Sequence, residues 1–106
     1  MANFLLAYHG GGIAETEQEQ QTVMAAWGRW YEELGAAIVD GGNPITRTVM
    51  INSDGSAAEG GGADPVTGYT VISADDMDAA VEMSKGCPHL TSGGTVEVGE
   101  TTEVMG

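Results

Sequence analysis

The period of the hydrophobic positions changes several times along the chain, and each change marks the edge of an element. Asn3 to His9 (NFLLAYH) is apolar on both alternating faces and stops at Gly10-Gly11-Gly12, which predicts a strand with neither face in water. Between Glu15 and Ile38 the residues Val23, Trp27, Trp30, Tyr31, Leu34 and Ile38 recur at spacings of three and four, with Gln20, Glu32 and Glu33 on the complementary face. That is the period of an amphipathic helix, with Trp27 and Leu34 expected to lie buried against a sheet. Thr16 followed by Glu19 has the spacing of a capping box, and the acidic first turn suits the positive end of the helix dipole, so the helix is expected to begin near Thr16. Asp40-Gly41-Gly42-Asn43-Pro44 then turns the chain.

The second half repeats the alternation of strand and helix. Thr46 to Asn52 (TRTVMIN) predicts a second strand that enters a hairpin through Ser53-Asp54-Gly55-Ser56. Glu59 to Pro65 (EGGGADP) has no periodicity and reads as a mobile loop, ahead of a third strand at Val66 to Ser73 (VTGYTVIS). Ser73 to Asp76 opens a second helix with a narrow stripe of Met77, Ala80, Val81 and Ser84, which Gly86 is placed to end in a left-handed conformation. Thr95 to Met105 alternates Val96 and Val98 with Glu97 and Gly99, a fourth strand with one wet face. The order βαββαβ predicts an α+β, ferredoxin-like fold, a four-stranded antiparallel sheet with two helices on one face. Strands one and three carry apolar groups on both sides, Phe4, Leu6 and Tyr8 against Leu5 and Ala7, and Tyr69 and Val71 against Ile72. Something apolar is therefore expected on the second face, and a second copy of the chain is the simplest candidate.

Composition narrows the functional classes. The 106 residues fit one domain, 1–106. Sixteen acidic side chains against three basic ones give a net charge of -13, which repels nucleic acid and anionic membranes and excludes both as partners. With a single cysteine there is no intrachain disulfide, and no signal peptide or membrane-length apolar run is evident, so a cytoplasmic location is expected.

Four stretches, Trp27 to Pro44 (WGRWYEELGAAIVDGGNP), Ser53-Asp54-Gly55, Gly68 to Val81 (GYTVISADDMDAAV) and Lys85 to Val98 (KGCPHLTSGGTVEV), resemble the YCII-related proteins, in particular the subgroup with a DGPF motif. The resemblance spans nearly the whole chain and implies a ferredoxin-like dimer of the dimeric α+β barrel kind. Its motifs are turns and packing positions, so it implies fold more than chemistry. The subgroup's DGPFAETKE signature would fall at Glu59 to Pro65, where the phenylalanine and lysine are missing. The family's acid-base dyad, a histidine in the first helix and an aspartate after the second, would fall on Met24 and Cys87. Methionine exchanges no proton, so an activity that depends on that dyad is not expected to carry over.

The remaining candidates are few. His9 enters three glycines, where a backbone approaches a ligand closely, but it is also placed to be a solvated strand-end histidine. His-Gly-Gly-Gly resembles an esterase oxyanion loop without the Gly-x-Ser-x-Gly elbow, and the glycines lack the Lys-Ser/Thr ending of a P-loop. Cys87, Pro88 and His89 offer a metal-ligand pair with no second pair, or a nucleophile and base that a rigid proline keeps apart; a buried thiol capping the second helix is the simpler reading. Asp75, Asp76 and Asp78 lack the order of a calcium loop and read as helix-start charges. Trp27, Trp30 and Tyr31 read as core, or as the wall of a helix-sheet cavity that includes Met24. Pocket candidates are thus His9, Met24, Trp27, Tyr31, Cys87 and His89, with no metal or cofactor expected. Two functions fit: a dimeric small-molecule-binding or accessory module, or a lyase- or isomerase-type enzyme that moves a proton with His9 or His89. A histidine in a water-accessible cavity with a carboxylate or carbonyl partner would favour the enzyme.

Overall fold

The computed structural model describes residues 1–103. Along it run β1 (Ala2–Gly10), α1 (Glu17–Leu34), β2 (Ile38–Asp40), β3 (Val49–Ile51), β4 (Ala57–Glu59), β5 (Val66–Ala74), α2 (Met77–Ser84) and β6 (Gly94–Glu100). The main sheet has the order β2-β5-β1-β6 with every neighbouring pair antiparallel, and β3 pairs with β4 in a separate two-stranded sheet. With that hairpin set aside, the chain has the α+β, ferredoxin-like order βαββαβ.

α1 begins where its sequence predicts, with the Thr16 hydroxyl accepting from the Glu19 amide at 3.0 Å. The Glu19 carboxylate reaches back to the amide of Glu15 rather than of Thr16. The helix ends four residues earlier than its apolar spacing predicts, because Gly35 adopts φ 53° and donates to the Tyr31 carbonyl. A short 3-10 turn, Gly35–Ala37, delivers Ile38 to the sheet, where it pairs with Ile72. Ile38 therefore belongs to β2, and the second strand of the main sheet is Ile38–Asp40 rather than Thr46–Asn52. The Thr46–Asn52 stretch does enter a hairpin through the Asp54-Gly55 turn, but its partner is β4. The loop before β5 is accordingly shorter than Glu59–Pro65, since Glu59 ends β4.

Period-two alternation separates the two faces of the sheet. Phe4, Leu6, Tyr8, Thr70, Ile72 and Ala74 are buried on the helix side, with Trp30, Ala80 and Cys87 packed among them. On the other side Leu5 is 40% exposed, and Ala7, Tyr69 and Val71 are half-buried. Trp30, not Trp27 or Leu34, is the fully buried residue of α1. Its indole N–H donates to the Met83 carbonyl of α2 at 3.1 Å, which draws that position to the centre of the core and leaves Trp27 and Leu34 at its rim.

The end of α2 also departs from expectation. Gly86 is not in the left-handed region, and the cap is Lys85 in a helical conformation. A Cβ on Gly86 would stand 3.3 Å from the Trp30 ring, so the glycine serves close packing rather than a reversed turn. Cys87 caps the helix through its amide, which donates to the Ser84 carbonyl at 3.0 Å, and not through its thiol. β6 ends at Glu100; Val104 and Met105, the tail of the expected fourth strand, lie outside the described residues. The radius of gyration is 15.2 Å, against about 13 Å for a compact chain of this length. The β3–β4 hairpin forms no ladder with the main sheet.

Candidate functional site

The end of β1 gathers most of the chemically active side chains. Tyr8 points to the helix side, and its ring meets Trp27 edge-on at 5.4 Å and His89 at 5.2 Å. Trp27 in turn packs on Trp30 at 5.6 Å and on Tyr31 at 5.8 Å. These rings fill the space between α1 and the sheet, where a cavity was the alternative to a packed core. Polar atoms thread the cluster. The Tyr8 hydroxyl donates to Thr70 Oγ1 at 2.7 Å, Thr70 donates to the Gly41 carbonyl at 3.1 Å, and Tyr31 donates to the same carbonyl at 3.0 Å. One backbone oxygen of the turn after β2 thus receives a helix hydroxyl and a strand hydroxyl.

Burial dominates the acids of this cluster. It pushes the Tyr8 phenol well above its usual range, against a smaller opposing effect of the hydrogen bond with Thr70. It also raises the Cys87 thiol, which is 2% exposed, against smaller opposing effects of the His89 amide and the Tyr8 hydroxyl. Both groups are neutral near pH 7, so Tyr8 donates and Cys87 is no thiolate.

The two histidines sit on opposite sides of β1. His89, in the 3-10 turn Pro88–Ser92, aims Nε2 at the His9 carbonyl at 2.9 Å. A carbonyl only accepts, so Nε2 carries a proton and Nδ1 is the nitrogen left for other contacts. Two glycines clear room for it: a Cβ on Gly94 would overlap the ring, and one on Gly11 would come within 2.7 Å of Cε1. His9 reaches the open face of the sheet, where Nδ1 meets the Asp64 carbonyl at 3.1 Å and Nε2 meets Glu97 Oε1 at 2.9 Å. Both partners are acceptors, an arrangement that favours the doubly protonated ring, in which both nitrogens donate. The Glu97 carboxylate is the chief reason that its pKa is raised, and Asp64 adds to it.

Of the six candidates, Trp27, Tyr31, Cys87 and His89 are brought together around Tyr8. Met24 is 74% exposed and outside the cluster, and His9 faces the other way. Neither of two open grooves is lined by any of the six. One of about 650 Å³ runs beside the start of α1 (Gly12, Ile13, Thr16, Val23, Ser92), and an apolar one of about 340 Å³ lies between α2 and β6 (Met77, Val81, Leu90, Val96, Val98). Tyr8, Thr70, Glu97 and Asp64 escape sequence reasoning as site residues. Glu97 alone had a signal: it alternates with Val96 and Val98, which puts it on the face opposite the core. Among the described residues no helix is long and apolar enough to cross a membrane, and no cluster of three or more His, Cys, Asp or Glu is placed to hold a metal.

Comparison with known protein families gives no match, and comparison with curated proteins gives none. Among solved structures the fold is similar to that of 5-chloro-2-hydroxyhydroquinone dehydrochlorinase (TftG) from Burkholderia phenoliruptrix AC1100, in complex with 2,5-dihydroxybenzoquinone. The TM-score is 0.56 at 18% sequence identity, over 96% of this chain and 95% of that one. Likeness at that identity is one of fold: a four-stranded antiparallel sheet with two helices on one face.

Proposed function

We propose that the chain is a cytoplasmic, homodimeric small-molecule-binding protein whose two sheets face one another, with the ligand held over the open face beside His9. The observation that carries this reading is the composition of that face. An apolar floor of Leu5, Ala7, Tyr69 and Val71 ends on the His9 ring, fixed between Glu97 and Asp64. A mostly apolar surface with a few oriented polar groups is the usual make-up of a ligand site once it is enclosed, and a second sheet would enclose it. The complex of the structural neighbour with a dihydroxybenzoquinone directs attention to planar rings bearing oxygen. The likeness to YCII-related proteins supports the same pairing, while Met24 and Cys87 at the dyad positions speak against that family's acid-base chemistry.

The test is a calorimetric titration with 2,5-dihydroxybenzoquinone as probe, together with proton spectra of the His9 ring. Saturable binding that shifts the His9 resonances, and is lost in Leu5→Asp, is the expected result. An unsaturable titration that leaves His9 unmoved would overturn the reading. A second reading, an enzyme of the lyase or isomerase kind, is favoured by His89, whose fixed Nε2 leaves Nδ1 able to accept a proton. Turnover of a bound ligand that His89→Gln abolishes without weakening binding would decide for it.

A further inference from the structure

The β3–β4 hairpin contributes no residue to the hydrophobic core of its own chain. It forms a two-stranded sheet apart from the main one. Val49, Met50 and Ile51 on its first strand are 47%, 43% and 70% exposed, and every residue of its second strand is exposed. Its ion pair, Arg47 with Glu59, lies in water on both sides and adds little. An isolated two-stranded hairpin is marginal in water, and three apolar side chains in a row on its exposed strand add to the cost. Such an element gains from a surface to lie on, and among the described residues the core of its own chain does not include it.

We infer that this hairpin is an arm that packs on a second copy of the chain, an inference that rests on the dimer proposed above. Area identifies the occupant. Strands of nine, nine, seven and three residues, at about 3.3 Å per residue and about 4.8 Å between neighbours, make an open sheet face of about 450 Å². A stable pair buries about 600 to 1,000 Å² on each partner, so the sheet faces alone fall short. Two faces of the arm's paired strands, Val49–Ile51 and Ala57–Glu59, add about 190 Å² at the same spacing, which brings each chain to about 640 Å² and inside that range. A two-fold pair uses each such patch twice, so one arm per chain satisfies both copies and leaves none over.

Hydrogen exchange of the β3 and β4 amides, followed over about a hundredfold range of protein concentration, tests the arm directly. Protection that rises about tenfold or more as the dimer fills, while β1 amides change little, is the expected result. The variant carrying Met50→Ser and Ile51→Ser, both at exposed positions, should weaken the dimer about tenfold or more and leave the circular dichroism of the monomer unchanged. A wild-type dimer whose arm amides exchange at a rate independent of concentration, or a doubly substituted chain that dimerises as tightly as wild type, overturns the arm and leaves the dimer standing. A wild-type chain that stays monomeric throughout overturns the dimer and the arm with it.

Discussion

Cys87 lies two residues before a histidine and is nevertheless arranged to stay a thiol. Burial holds its pKa above the free value of 9.0. Alkylation by iodoacetamide should therefore be slow, with an apparent pKa above that of an unfolded control; rapid reaction near about pH 6 would restore Cys87 and His89 as a nucleophile pair. The same burial makes the fold sensitive to alkali. Above pH 9.0 the unfolded thiol loses its proton while the native one keeps it, so stability should fall as pH rises from there, and less steeply in Cys87→Ala. His9 has the opposite habit. Its native pKa is raised above 6.5, so the support it gives is fully present below that value and is lost as pH rises through the native one. Denaturant midpoints measured on either side of that window should differ in wild type and converge in His9→Gln, and a His9 ring that titrates at or below 6.5 would contradict the geometry. The histidines, the cysteine and the aromatic rings were legible in the chain because their chemistry is intrinsic. Their partners were not: Tyr8 with Thr70, and His9 with Glu97, are joined by register across strands and not by spacing along one.

α1 divides its aromatic residues between centre and rim, and stability should divide in the same way. Trp30→Ala removes a fully buried ring and its hydrogen bond to Met83, and should cost about 3 to 5 kcal/mol. Leu34→Ala, at the rim, should cost less, and exposed Glu32→Ala should stay within about half a kcal/mol. Equal losses at Trp30 and Leu34 in chemical denaturation would mean that the helix is rotated from its observed setting. Gly86→Ala should cost about 1 to 3 kcal/mol by pressing on the Trp30 ring, although its backbone conformation suits any residue. β1, the start of α1, β5, α2 and the body of β6 follow from period and capping alone. β2 does not, because Ile38 stands four residues after Leu34 and so continues the helical stripe while also fitting a strand. Only the conformation of Gly35 decides between them, and its neighbours do not encode it.

Two chains that each carry a charge of -13 repel one another at every separation beyond contact. If they associate through an apolar face, added salt should strengthen the pair, since ions screen the repulsion and leave the apolar contact intact. Light scattering after gel filtration should give about twice 10.9 kDa, with the dissociation constant falling as salt rises; a pair that salt disperses would be held by ion pairs instead. The hairpin has one more consequence. It leaves the sheet after Ile45, whose amide donates to Thr67, and returns just before β5, so neither end of it carries a core side chain. Lengthening both strands together would preserve their register and cost only the small entropy of a longer loop. The fold thus holds a cassette whose length and side chains can change while the main sheet stays the same. If the arm pairs two chains as inferred above, diverged copies in one cell would come to ignore each other through changes confined to that cassette.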